Sequence, residues 1–262
     1  MQPFQYRKAA SACLRAAEVS PHRVTLIYLA IIYAVLIPYN LFTIIYTYRI
    51  LDQSSGFDAI AKMNVYTTFA SVSPLIINLF TSVWDGLYNA YALRVSQDAQ
   101  ADHHALFDGL QLVGKLIWLT VQILIYTALW ICLFILPGFI AFYRYRFAYL
   151  ILFDCPNLSA GQALNLSKQL TYGRKLDLFR LDLSFLYLFL LMSIGSAVIN
   201  IPYLYELPNV GMRMDVTFYL VGTGIALLAQ LLFLPHHRAS LAAAYLDACR
   251  IDENITSLSE DE

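Results

Sequence analysis

Six apolar segments lie along the chain, at about 24–47, 65–84, 116–136, 139–154, 181–203 and 217–235, with polar or amphipathic stretches between them. A helix rises about 1.5 Å per residue and needs about 20 apolar residues to cross a bilayer core. Five segments meet that length; the fourth is short and holds Arg144 and Arg146. Pro137-Gly138 separates the third from the fourth and reads as a tight turn that sends the chain back across the membrane. The fold predicted is all-α: an integral membrane helical bundle of about six transmembrane helices with amphipathic interfacial helices.

Basic residues fix the expected orientation, because short cytoplasmic loops collect Lys and Arg. Six spans place Arg7, Lys8, Arg15, Arg23, Arg94, Lys115, Lys168, Arg174, Lys175, Arg180, Arg238 and Arg250 on one side. Only Arg49, Lys62 and Arg213 fall on the other. If the fourth segment did not cross, everything after it would change sides and the bias would vanish. A multi-pass protein of the cell membrane with both termini cytoplasmic is therefore expected.

The polar stretches carry their own signals. Over 1–23, Tyr6, Ala10, Cys13, Leu14 and Ala17 recur at helical spacing, which predicts an amphipathic segment on the inner membrane surface. Ser20-Pro21 reads as an N-cap followed by proline in the first helical turn. Ser159 with Gln162 three residues on forms a capping-box pattern, and Gly173 stands where a left-handed terminator is expected. Pro235 is read as the end of the last span. The domains expected are thus 1–23, a six-span domain over 24–235, an amphipathic helix over 236–251 and an acidic, disordered tail over 252–262.

Composition supports the membrane reading: 59% of residues are hydrophobic and 13% charged, against about 25% charged in soluble domains. A net charge of −1 offers no basic field for nucleic acid. Cys13, Cys132, Cys155 and Cys249 are too scattered for a zinc site or disulfide framework. Of the pairs His103-His104 and His236-His237, His104 has Asp108 at i,i+4, a spacing that can ligate a metal, but adjacent side chains on a helix point about 100° apart and nothing orients a second shell. Both pairs read as interfacial, and neither metal nor cofactor is expected.

Charged groups within spans are costly and mark candidate sites. Arg144 and Arg146, alternating with Tyr143 and Tyr145, suit either a lipid phosphate or an anchor belt at the outer interface. Asp177 and Arg180 can pair along one helix, leaving Asp182 one turn deeper in need of Lys175, Arg94 or water. Asp85 and Asn89, at i,i+4, either share that inner cavity or mark the membrane boundary. The Asp182 group reads as a polar cluster fixing helix register or as part of a coupled pathway. Gly222, Gly224 and Ala226 give the last span a small-residue face.

The motifs LPGFIAFYRY, FDCPNLSAGQALNLS and YGRKLDLFRLDLSF, together with LFDGL and the ending LPHHRASLAAAYLD, resemble a bacterial membrane family catalogued as domain of unknown function 975. The resemblance covers most of the chain. It implies a bacterial multi-span protein with no assigned activity and no catalytic residues to carry over. The chain departs from the family pattern at Arg144 and Arg146, where small residues are expected, and at Gln162, where an acidic capping residue is usual.

Signatures of serine nucleophiles, paired carboxylates, P-loops and metallohydrolases are absent from the sequence. The function expected is a non-enzymatic membrane-organising or accessory scaffold component that engages membrane lipids, a membrane protein partner or a second copy of itself. The alternative is a small transporter or channel for a lipid or small solute, with Asp85, Asn89, Asp182 and the arginines of the fourth segment along its pathway.

Overall fold

A computed structural model describes residues 3–17, 19–53, 57–97, 106–204 and 212–260. All regular structure among them is helical: α1 (Pro3–Ala16), α2 (Pro21–Gln53), α3 (Phe57–Gln97), α4 (Val113–Leu133), α5 (Ile135–Arg144), α6 (Ala148–Asp154), α7 (Ala160–Leu170), α8 (Lys175–Leu183), α9 (Leu186–Leu204) and α10 (Met212–Glu260). Among the described residues four stretches are long and apolar enough to cross a membrane: Pro21–Tyr48, Lys62–Gln97, Gly109–Cys132 and Asp215–Arg250. The bent pair Lys175–Leu183 and Leu186–Ile201 makes a fifth if counted as one broken span. The fourth apolar segment is not among them, because it is divided into α5 and α6 by a turn at 145–147.

The chain forms two compact units, Met1–Thr25 with Ser82–Leu186 and Phe233–Glu262, and Leu26–Thr81 with Tyr187–Leu232. In the first unit α4, α5 and α6 make an antiparallel hairpin. Its bend is at Phe134, which is extended (φ −161°, ψ 146°), and not at Pro137-Gly138. Pro137 sits in the first turn of α5, where a missing N–H removes no helical bond. Gly138 makes room for the neighbouring helix. A Cβ there would lie 2.4 Å from Ile131 Cγ1 and 3.1 Å from its Cα, so only glycine lets α4 and α5 stand this close at the bend. Farther along, the Tyr126 and Tyr145 rings lie 6.2 Å apart, the Thr120 and Tyr149 hydroxyls share a 2.8 Å hydrogen bond, and Lys115 Nζ reaches the Pro156 carbonyl. As one number of each pair falls, the other rises, so α5 and α6 retrace the whole length of α4.

The break between α5 and α6 is held from outside. The Arg144 carbonyl, at the end of α5, accepts from the hydroxyls of Ser167 (2.9 Å) and Thr171 (3.2 Å) on and just after α7. These side chains serve an end carbonyl that the helix itself leaves unpaired. The start of α7 is fixed by its capping box: Gln162 N–H donates to Ser159 Oγ, and Ser159 N–H donates to Gln162 Oε1. After α7 the chain turns at Gly173, whose φ of +73° is costly for a residue with a Cβ. The core of this unit is built by Leu87, Tyr88 and Tyr91 of α3, Leu150, Ile151 and Leu152 of α6, Ala163 and Leu164 of α7, and Ala239, Leu241 and Ala242 of α10.

The α10 helix also departs from expectation. It runs through Pro235, which therefore does not end it, and continues to Glu260; the last two residues of the stretch expected to be a disordered tail lie outside the described residues. Proline removes one intrahelical bond, and here Phe233, Leu234 and His237 are buried around it, so packing holds the helix across the gap.

In the second unit, large apolar side chains point outward: Val35, Phe42, Val72, Leu75, Ile76, Leu190, Ile194, Leu220 and Leu228 are all exposed. Such a surface suits hydrocarbon, where helices satisfy their own backbone groups. Pro38 and Pro74 lie inside α2 and α3 without ending either. Helices α9 and α10 meet at Gly195 and Gly222, where an added Cβ on Gly222 would stand 2.5 Å from the Gly195 carbonyl oxygen. Gly224 faces open space, so the close contact belongs to Gly222 and not to Gly224.

Candidate functional site

The first unit buries a connected set of charges around the end of α8. Asp182 receives hydrogen bonds from Tyr143 Oη (2.9 Å), Arg146 Nη2 (3.1 Å) and, through the Nε2–H tautomer, His237 Nε2 (2.7 Å). The partners come from α5, from the turn after it and from α10. The sequence suggested Lys175, Arg94 or water for Asp182; the structure supplies three other groups. His237, expected at the interface, is 3% exposed. Its ring stacks on Phe233 at 4.6 Å and meets Phe185 edge-on at 5.4 Å.

The end of α8 is itself braced. Arg7 of α1 donates to the Ser184 carbonyl at 3.0 Å, and its guanidinium lies 4.7 Å from the Phe185 ring centroid. An arginine that satisfies a terminal carbonyl and covers an aromatic face gains both charge-assisted bonding and cation–π attraction.

One helical residue beyond His237, Arg238 turns the other way. It donates to Asp85 Oδ1 (3.0 Å) and Asn89 Oδ1 (3.3 Å), so the i,i+4 pair on α3 holds one guanidinium. Arg146 and Arg238 both border a cavity of about 210 Å³, together with Ser82, Asp85, Asn89, Tyr145 and Tyr149. The Nε atoms of Arg146 and Arg238 are buried with no hydrogen-bond partner among the described residues. Each guanidinium is matched by one carboxylate, so the set is close to neutral.

The remaining candidates fall elsewhere. The backbone carbonyl of Arg144 is the acceptor for Ser167 and Thr171. Tyr143 and Tyr145 are buried, which removes them from an outer anchor belt. Asp177 and Arg180 stand 3.4 Å apart on the exposed side of α8, away from Asp182's partners. A second junction joins α1, the start of α8 and α10: Tyr6 Oη donates to Asp247 Oδ2 at 2.8 Å, and Arg174 Nη1 lies 3.5 Å from the same oxygen. Burial, and then the bond to Asp247, hold the Tyr6 phenol well above its ordinary pKa.

No group of three metal-ligating side chains occurs among the described residues; His103-His104 lies outside them. No family model matches the chain, and neither the curated proteins nor the solved structures include a match. The family resemblance therefore rests on its motifs alone.

A carboxylate with three donors is a strong positional constraint. Removing one partner of such a buried pair leaves an uncompensated charge, at a cost of about 3–5 kcal/mol. The members that sequence reasoning missed, His237 and Arg238, carried one usable signal. They follow Pro235 within a run that continues at helical spacing, so the helix could aim them about 100° apart, toward different neighbours.

Proposed function

We propose that this chain is a non-enzymatic, multi-pass component of a bacterial cell membrane that organises lipids or holds a partner protein or a second copy. Both termini are cytoplasmic in this reading, and α2, α3, α4, α5 with α6, α8 with α9, and α10 are its six crossings. The observation that carries it is the closure of the first unit's charges on one another: Asp182 is occupied by Tyr143, Arg146 and His237, and Asp85 with Asn89 by Arg238. Groups so committed serve to hold helices in register, as a scaffold requires. Outward, α8 presents Leu176, Phe179 and Leu183 at i, i+3 and i+7 beside Arg180, a face suited to lying among lipid headgroups.

The full chain reconstituted in phosphatidylcholine nanodiscs, with and without phosphatidylglycerol, tests the lipid arm. The expected outcome is a higher unfolding temperature and preferential retention of the anionic lipid on extraction. Equal stability in both bilayers, with steady solute flux across proteoliposomes carrying the protein, would replace scaffold by transporter.

A further inference from the structure

The second unit contains a cavity of about 320 Å³ between α2, α9 and the first half of α10, lined among others by Tyr33, Asn40, Thr43, Asp215, Tyr219 and Thr223. Its volume is in the range of small-molecule sites and far above the roughly 10–15 Å³ that one water or bare ion occupies. The walls are apolar helices, yet six of the ten described lining residues carry a side-chain oxygen, and none of the ten is lysine, arginine or histidine.

Hydrogen bonding gives these oxygens a direction. Asn40 Nδ2 donates to the Leu36 carbonyl (2.7 Å), and the Thr43 hydroxyl donates to the Asn40 carbonyl (2.8 Å), so these donors of α2 are used on its own backbone. Asp215 Oδ2 accepts from Tyr48 Oη. Asp215 Oδ1 is buried and has no hydrogen-bond partner among the described residues. Leaving a carboxylate oxygen unmet in an apolar setting is expensive, and such a group calls for an explanation. The unmet Asp215 oxygen gives the wall a negative charge, and hydroxyls can turn a lone pair toward a guest, so the complement to that wall is a cation with N–H groups to donate.

We propose that this cavity binds a primary ammonium group, which donates to Asp215 Oδ1 and to the lone pairs of neighbouring hydroxyls, with its carbon skeleton against Tyr33, Ile199 and Tyr219. The ammonium belongs either to a small soluble alkylamine or to an ethanolamine lipid headgroup; the recognition chemistry is the same. This site lies wholly within the second unit and goes beyond the scaffold reading.

The test uses the full chain in phosphatidylcholine nanodiscs. One arm titrates ethanolamine and 1,4-diaminobutane against sodium chloride and tetramethylammonium chloride at matched ionic strength, following the unfolding temperature and the heat of binding. The other arm replaces part of the phosphatidylcholine by phosphatidylethanolamine. Saturable stabilisation by the amines alone assigns a soluble ligand; stabilisation by the ethanolamine lipid alone assigns the headgroup. Asp215→Asn, which keeps the shape and the contact to Tyr48, weakens the response at least tenfold. Thr43→Val provides a second variant should Asp215→Asn fail to fold, and weakens it several-fold. The proposal is overturned if neither amine nor lipid stabilises beyond its control, if sodium or tetramethylammonium acts as strongly, or if the folded variants respond like the parent.

Discussion

The two units treat their aspartates differently. The first gathers arginines, aspartates and a histidine and pairs them, so that Asp182 alone draws together groups from α5, the turn after it and α10. In the second, Asp215 keeps one oxygen unmet beside a cavity that, among the described residues, no basic side chain lines. The first unit also leaves the Nε atoms of Arg146 and Arg238 unmet, but each of those guanidiniums holds a carboxylate, whereas Asp215 meets no cation among the described residues. On the readings proposed above, the first unit has a structural duty and the second one of recognition, although both place an aspartate near a helix end.

The contrast is tested most severely by removing each carboxylate in turn. Asp182→Leu strips the buried Arg146 of its partner and should cost about 3–5 kcal/mol, read as a large drop in unfolding temperature in detergent or nanodiscs. Pairing it with Arg146→Met should recover most of the loss, because no charge is then stranded. Asp215→Asn should leave stability within about 1 kcal/mol in the absence of amine. If the two aspartates behave alike, the division of labour fails.

Close approaches come next. Gly138→Val drives a side chain into Ile131 at the α4–α5 bend, and Gly222→Val drives one into the Gly195 carbonyl. Each should destabilise by about 1–3 kcal/mol. Gly224→Ala, two residues from the contact and open to space, should be neutral or slightly stabilising. Equal effects at 222 and 224 would mean that α9 and α10 do not meet there.

Ser159→Ala removes one half of the capping box and should cost about 1 kcal/mol, visible as earlier unfolding without loss of helicity. Smallest of all is Arg180→Gln. Its ion pair with Asp177 is exposed on both sides, so the change should stay within about 0.5 kcal/mol. A larger effect in anionic bilayers than in neutral ones would tie Arg180 to headgroups.

Much of the architecture is legible from pattern. Apolar run lengths set where long helices lie, and Ser159, Gln162 and Gly173 mark the bounds of α7, because capping and left-handed turns depend on residues within a few positions of one another. The hairpin of α4 with α5 and α6 is also legible, but the strongest turn signal in its sequence is Pro137-Gly138, while the chain bends at Phe134. Proline is welcome in a first helical turn, so its presence marks the start of α5 and not the loop before it. Pro235 misleads in the same way, since burial on both sides carries α10 through it.

The site is hardest to read. Asp182, Arg146, Tyr143, Asp85 and Asn89 stand out because charge or polarity within an apolar run is costly, and that cost is local. Who pairs with whom is not local: Arg146 and Asp182 are 36 residues apart, and Arg238 and Asp85 are 153 apart. Hydrophobic periodicity and capping thus set the helices and flagged the expensive residues from sequence alone. Tertiary packing decided the partners, the bend and the cavity beside Asp215, because desolvated charges choose whatever opposite group the folded backbone brings within about 3 Å.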